Sequence, residues 1–200
     1  MKRFFFSILI FLGIILLFVG LLVGYVFLKY RNWEKEFEDN IQSENIVDRN
    51  SIKEIDLSEK ISDFSLSLAD TQFLELDIQE VGSVFFTVLD SYFGEEVDLE
   101  QMYIKPAKNK WTVYVKVKYQ GISLWVSTDI NKDDIQSAQI YITEINVGPF
   151  SIGGYTNWIE MVNKGIGESI VTLNENGLVG RYIENIELLE KSIVLKGLRY

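Results

Sequence analysis

From Phe4 to Leu28 the chain reads FFFSILIFLGIILLFVGLLVGYVFL, apolar throughout except for Ser7 and three glycines. As a helix rising about 1.5 Å per residue, this run reaches roughly 37 Å, more than the hydrocarbon thickness of about 30 Å that a span must cross. Only a helix satisfies every backbone N–H and C=O of such a segment inside lipid. Lys2 and Arg3 precede it. The run exceeds a signal-peptide core in length and offers no small-x-small cleavage site, so the pattern predicts an uncleaved signal anchor. The expected layout is a cytoplasmic tail (1–3), a transmembrane helix (4–28), an acidic juxtamembrane stalk (29–60) and an extracytoplasmic domain (61–200). On this reading the protein is single-pass in the cell membrane with a cytoplasmic N-terminus, the lipid bilayer is its partner through residues 4–28, and Trp33 sits at the interface.

Beyond the stalk the periodicity changes element by element. Phe64, Leu66 and Leu68 alternate with serines, the signature of a half-buried strand. Val81, Val84, Phe85, Val88, Leu89, Tyr92 and Phe93 then recur at helical spacing. Asp77 is the expected N-cap of this helix and Glu80 closes a capping box, with Gly94 at the C-terminal stop. A short strand is expected near Leu99–Lys105, followed by a strand over Trp111–Tyr119. The Gln120-Gly121 pair makes a two-residue turn, which sets Tyr119 against Ile122, Val117 against Leu124 and Val115 against Val126. The same register puts Lys116 across from Trp125 as a cation–π pair. A strand over Gln136–Val147 needs an odd-length loop or a bulge to face its apolar side inward, and a second phase shift falls near Glu144. Thr156 caps a second helix running to about Ile170, with Trp158, Val162, Ile166 and Ile170 on one face. Gly165 and Gly167 weaken that helix by about 1 kcal/mol each unless close packing requires them. Tyr182–Leu188 and Ser192–Leu198 form a terminal hairpin. The fold class is α+β: an N-terminal transmembrane helix, then a mainly antiparallel meander sheet packed with two amphipathic helices.

Composition narrows the chemistry. The 200 residues include no cysteine and no histidine, which removes disulfides, thiolate metal sites, cysteine nucleophiles and any Ser-His-Asp machinery. The net charge of −10 argues against nucleic acid as a partner, since phosphate binding needs a basic face. The acidic excess is concentrated in residues 29–80, with 6 Lys/Arg against 14 Asp/Glu. That is the composition of a solvated stalk.

Motifs that carry chemistry are few. Gly148 to Gly153 has the glycine spacing of a phosphate loop, but Gly154 and Tyr155 stand where lysine and serine or threonine are needed. Glu95-Glu96 and Asp133-Asp134 are adjacent acids in polar turns, without the convergence that acid–base catalysis requires or the alternation of a calcium loop. Serine with lysine remains a formal nucleophile–base option, without a nucleophile elbow. No catalytic, metal or cofactor-binding residue is assigned and no cofactor is expected. Two candidate surfaces remain. Tyr114, Trp125 and Tyr141 lie on the outward side of the meander and mark a surface for a partner or an apolar ligand, unless helices cover them. Gly13, Gly20 and Gly24 mark a close-approach face in the span, Gly20 and Gly24 as G-x-x-x-G, through which two copies could pair.

The layout resembles the YpmS-like family of bacterial single-span, membrane-anchored proteins. The resemblance rests on the N-terminal run, the helix ELDIQEVGSVFFTVLDSYFG, the hairpin VYVKVKYQGISLWVSTDI, the segment EINVGPFSIGGYTNWIEMVNKGIGESI and the closing hairpin with SIVLKG. It covers most of residues 60–200, and the longer acidic stalk departs from it. The resemblance implies an extracytoplasmic domain of unassigned function and supplies no catalytic residues. The expected function is a membrane-anchored, non-catalytic module binding a partner protein or an apolar or lipid envelope component. The alternatives are a membrane assembly or scaffold factor acting through span and stalk, and, third, a carboxylate-based envelope hydrolase, which needs two acids within about 10 Å in a cleft.

Overall fold

The structure, a computed structural model, describes the backbone of residues 2–52, 55–93, 97–152, 156–172, 174–175 and 180–200, and the side chains of 16–52, 55–91, 97–152, 157, 159–172, 174–175 and 180–200. The chain divides into two units, Met1–Asn40 and Ile41–Tyr200.

The first unit is one helix, α1 (Lys2–Asn40). Along its C-terminal half Trp33 stacks on Phe37, the rings 4.9 Å apart and nearly parallel. Among the described residues no helix is long and apolar enough to cross a membrane. The expected transmembrane helix is therefore overturned. With it go the single-pass, signal-anchor and cell-membrane assignments, and the cytoplasmic N-terminus with an extracytoplasmic body.

The second unit begins at Ile41, inside the segment expected to be a stalk. Its strand β1 (Ile46–Val47) pairs antiparallel with β3 (Val97–Ala107), and Val47 is fully buried. Two short helices follow, α2 (Arg49–Ile52) and α3 (Ser58–Leu66). The alternation at Phe64, Leu66 and Leu68 is thus not a strand. Phe64 is the buried residue of α3, whereas Leu66 and Leu68 are exposed at and beyond its end. The strand lies further on, β2 (Thr71–Asp77), and leads directly into α4 (Ile78–Phe93). The capping box forms as expected. The Asp77 carboxylate accepts the Glu80 backbone N–H at 2.9 Å, and Glu80 Oε2 accepts the Asp77 backbone N–H at 2.9 Å. Gly94, Glu95 and Glu96 lie outside the described residues.

The meander is β3, β4 (Lys110–Tyr119), β5 (Ile122–Asn131) and β6 (Tyr141–Val147), closed by the short β7 (Phe150–Ser151). With β1 it makes a six-stranded sheet in the order β1-β3-β4-β5-β6-β7. The β4–β5 register is the expected one, with Tyr119 opposite Ile122, Val117 opposite Leu124 and Val115 opposite Val126. Gln120 and Gly121 hold φ of 50° and 82°, as a two-residue hairpin matched to strand twist requires. Nine residues, 132–140, separate β5 from β6, so the loop has the odd length the pattern demanded. Thr128 pairs with Ile145 and Ile130 with Ile142, which leaves the extra residue of a bulge beside Glu144. The strand itself starts at Tyr141 rather than Gln136.

The terminal hairpin, β8 (Arg181–Leu188) and β9 (Ser192–Arg199), does not join the meander. With β2 it forms a separate three-stranded sheet in the order β2-β9-β8. Trp111, fully buried, ties the two sheets together by donating its ring N–H to the Leu189 carbonyl at 2.7 Å. A single core runs under both, through Val47, Phe86, Leu99, Ile104, Trp111, Ile142, Ile183 and Leu188. α4 packs on β1 and β3 where Gly82 lies against Val47, so close that a Cβ there would collide with the valine methyl. α5 (Thr156–Thr172) packs on β6. The Asn163 amide fixes it there, accepting the Ile142 N–H at 2.7 Å and donating to the Ile142 carbonyl at 2.9 Å. Gly165 and Gly167 meet no close packing, since a Cβ at either would touch nothing within 4 Å.

Candidate functional site

One face of the meander is built from Trp111, Val113, Val115, Val117 and Tyr119 of β4, alternating in strand period and paired with Ile130, Thr128, Val126, Leu124 and Ile122 of β5. Burial along this face is graded. Trp111 and Val113 are 0% and 4% exposed, Val115, Val117, Leu124 and Val126 are half-buried, and Tyr119 and Ile122 reach 46% and 63%. The central strands of a six-stranded sheet are the ones expected to be best covered, so uncovered apolar residues here call for a cause.

The positions of the helices supply it. α4 lies over β1 and β3 and α5 over β6, which leaves β4 and β5 between them. On α4, Asp90 turns toward α2, where its carboxylate meets Arg49 at 2.8 Å. At about 100° of helix turn per residue, Val84 and Val88 each lie on the side of α4 opposite the buried Phe86, away from the sheet, and both are exposed. Phe85 and Leu89 of α4 and Ile159 of α5 are half-buried against the core, with Val162 exposed beside Ile159. The result is a half-buried apolar strip along β4 and β5, a shallow trough in which Val115 and Val117 pack against the core and Tyr119 and Ile122 beside the Gln120-Gly121 turn are exposed. Thr156 and the Trp158 side chain lie outside the described residues.

A second concavity, of about 490 Å³, is polar. Lys132, Asn185, Glu187 and Lys196 line it, with Phe73 and Ile135 exposed at its edges. Its frame is backbone: Asn109 N–H donates to the Leu188 carbonyl and Lys132 N–H to the Asn109 carbonyl, each at 2.9 Å. Lys132 is buried, and its ammonium donates to the Ile135 carbonyl at 2.8 Å and to Ser137 Oγ at 3.0 Å. Burial lowers the Lys132 pKa, and the charges of Asp133 and Glu187 oppose that shift. The Ser137 N–H donates to Asn185 Oδ1 and the Ser137 carbonyl accepts from Ile186 N–H. Lysine and serine therefore clamp the 132–140 loop onto β8.

Of the candidate surface residues, Tyr114 and Trp125 are diagonal neighbours on one face of β4 and β5. Trp125 is fully buried, with the Lys116 ammonium 5.5 Å from its ring centre, the pair expected from the register. Tyr114 is half-buried and tilted against Tyr103, ring centres 5.8 Å apart, and burial raises its phenol pKa. Tyr141 donates to Asp133 at 2.8 Å, and that hydrogen bond raises its pKa. Cβ atoms at Gly20 and Gly24 would meet nothing within 4 Å, and Gly13 lies outside the residues whose side chains are described. Asp133 and Asp134 point apart, to Tyr141 and to the Asn109 amide.

Sequence reasoning missed the acids that do meet. Asp129 and Glu144 sit on adjacent strands at the bulge. Burial alone would raise the Asp129 carboxyl, but hydrogen bonds from Lys110 and Thr112 bring it below 3.8. The Lys110 ammonium lies 2.6 Å from Asp129, so this acid is neutralised by a cation already in place. The parity break near Glu144 was the available signal. Among the described residues, no group of three or more acidic residues could hold a metal ion.

Fold and site together define an α+β protein of two antiparallel sheets with a half-buried apolar strip along β4 and β5 of the larger one. No family model, curated protein or solved structure matches the chain.

Proposed function

We propose that this chain is a non-catalytic binding module that holds an apolar ligand in the trough over β4 and β5. The observation that carries the reading is the graded burial from Trp111 out to Tyr119 and Ile122. A core strip that leaves its cover at the centre of a sheet keeps apolar surface in water, at roughly 25 cal/mol for each Å² that a ligand could cover. Lined by aliphatic side chains and walled by two helices, it has the character of a small-molecule site. The likeness to the YpmS-like family belongs to the same proposal, as a reading of the layout of residues 60–200. A partner protein is the second reading, favoured by Phe73 and Ile135, exposed on the edges of the polar groove.

The test is titration with a compact aromatic fluorescent probe. Saturable binding of one probe per chain is expected, lost in Val117→Trp, which fills the trough, and kept in Ile135→Trp, which lies outside it. If Val117→Trp keeps its fold by circular dichroism and binds the probe like the parent, the trough is not the site.

A further inference from the structure

We propose that β2 is a pairing edge for a second copy of this chain, joined antiparallel about a two-fold axis with Phe73 opposite Phe73 of the second copy. The pairing lies on the smaller sheet and is independent of any ligand over β4 and β5.

The edges of the two sheets are not alike. An outer strand presents unpaired N–H and C=O groups, a template for another strand, and such edges are ordinarily blunted by short strands, bulges or covering loops. The larger sheet ends in β1 and β7, each two residues long. The outer side of β8 is taken up within the chain. There the Ile183 N–H donates to Asn174 Oδ1 at 2.7 Å and the Ile186 N–H to the Ser137 carbonyl at 3.1 Å, while the Leu188 carbonyl accepts the Asn109 N–H at 2.9 Å. β2 has none of these devices. It runs seven residues, contains neither proline nor lysine, and pairs with β9 without a register shift.

Register fixes which groups of β2 face outward. The Arg199 N–H donates to the Asp70 carbonyl at 3.0 Å. Hydrogen-bonded pairs with β9 therefore fall on alternate residues, Gln72 with Gly197, Leu74 with Leu195 and Leu76 with Ile193. The backbone groups of Thr71, Phe73, Glu75 and Asp77 point away from β9. At the α4 end two of them are used, the Glu75 carbonyl by the Lys60 ammonium at 3.3 Å and the Asp77 N–H by Glu80 at 2.9 Å. Among the described residues, none bonds the outward backbone of Thr71 or Phe73. Phe73, at the middle of this free stretch, is 59% exposed.

Self-complementarity selects the occupant. With Phe73 on the axis, Thr71 lies opposite Glu75 of the second copy and Gln72 opposite Leu74. Within that pairing no acid stands opposite or diagonal to another. Moving the axis to Leu74 would set Glu75 diagonal to Glu75 of the second copy, a like-charge contact. Closure points the same way. An isologous pairing consumes both β2 edges and gives one continuous sheet, β8-β9-β2-β2-β9-β8, that ends on a covered β8 at each side. A foreign strand would bring an open edge of its own.

The experiment uses the full chain, which has no native cysteine. In the paired register the Cα atoms of the two residues 73 lie about 5.5 Å apart, inside the disulfide range of about 4.4–6.8 Å. Phe73→Cys should oxidise to a covalent dimer. Thr71→Cys and Glu75→Cys should each stay monomeric alone, since equal positions are then about 13 Å apart, and should cross-link when mixed. In the unsubstituted chain the Thr71 and Phe73 amides should exchange more slowly as concentration rises, while the Gln72 and Leu74 amides, held by β9, stay slow throughout. Added salt should strengthen the pairing, because it screens two copies that each carry −10. Phe73→Pro removes an outward N–H and no bond to β9, so it should keep the fold by circular dichroism and lose the concentration dependence at Thr71. Concentration-independent exchange at Thr71 and Phe73 overturns the proposal. So does a dimer in which Phe73→Cys cross-links no faster than Ile135→Cys. Cross-linking at 73 without the mixed Thr71–Glu75 link overturns the register. Protection of Phe73 that appears only with an added valine–threonine strand peptide, and never between copies, overturns the second copy in favour of a foreign strand.

Discussion

Two kinds of glycine in this chain should respond to the same substitution with opposite sign. Gly197 of β9 lies beneath Phe64 of α3 and the aliphatic stem of Arg181, and a Cβ there would stand 2.5 Å from Phe64 Cζ and 2.7 Å from Arg181 Cδ. Neither neighbour can retreat. Phe64 is buried, and Arg181 is held by the Gly197, Ser67 and Ala69 carbonyls at 2.9, 3.0 and 2.7 Å. Forcing a methyl into such a site costs about 1–3 kcal/mol. With two contacts this short we expect Gly197→Ala at the upper end, about 2–3 kcal/mol, and a Tm lower by roughly 4–10 °C for a unit of this size. At Gly165 and Gly167 the same methyl meets nothing, and replacing glycine in a helix interior gains about 0.5–1 kcal/mol at each. Urea unfolding followed by circular dichroism reads both, provided the denaturant slope is unchanged. Relief by a second change sharpens the test: Phe64→Leu with Gly197→Ala should be less destabilised than the two single changes added together. The packing argument is refuted if Gly197→Ala unfolds within about 0.5 kcal/mol of the parent, the range of a neutral surface change, or if Gly165→Ala is equally destabilising.

Other expectations follow from single contacts. Asp77→Ala removes one arm of the capping box and should cost about 1 kcal/mol, with faster amide exchange confined to the first turn of α4. Asn163→Ala leaves the Ile142 N–H and carbonyl without their partner and should cost about 1–3 kcal/mol. Because it frees α5 from β6, it should also change probe binding in the trough, which a mutation of equal cost in β9 should not. Asp129 has a folded pKa below its ordinary 3.8. Its contribution is therefore complete above the ordinary value and is lost as pH falls through the folded one. Asp129→Asn should be less stable than the parent at pH 6 and should show a shallower loss of stability below about pH 4, and parallel acid limbs would refute the assignment.

What the sequence carried clearly was local. The β4–β5 register follows from a two-residue turn and strict alternation. The capping box follows from residues three apart, and the bulge beside Glu144 from a parity break within one strand. What it hid was set by distant partners. Phe64, Leu66 and Leu68 alternate with serines, yet Phe64 is helical because one buried ring against Gly197 and Arg181 is all that segment gives to the core. Val47 looked like part of a stalk because its two-residue strand is too short to carry a period, and only pairing with Tyr103 and Met102 defines it. The apolar run of α1 raised the expectation of a span, yet among the described residues no helix is long and apolar enough to cross a membrane.

The trough lies between these cases. Alternation in β4 and β5 placed Val115, Val117, Leu124 and Val126 on one face, and helical spacing placed Phe85, Leu89 and Ile159 on the stripes that should cover it. Nothing in either period says where on a six-stranded sheet two helices come to rest. The bulge beside Glu144 and the Asn163 amide seat α5 over β6, while Gly82 against Val47 seats α4 over β1 and β3. These anchors fix the two helices over different strands of the sheet, and the strip between them, with Val115 and Val117 packed against the core, stays half-buried. An Asn163→Ala variant whose trough narrows, seen as loss of probe binding with the fold retained, would demonstrate that dependence. Unchanged binding in that variant would show that the opening is set elsewhere.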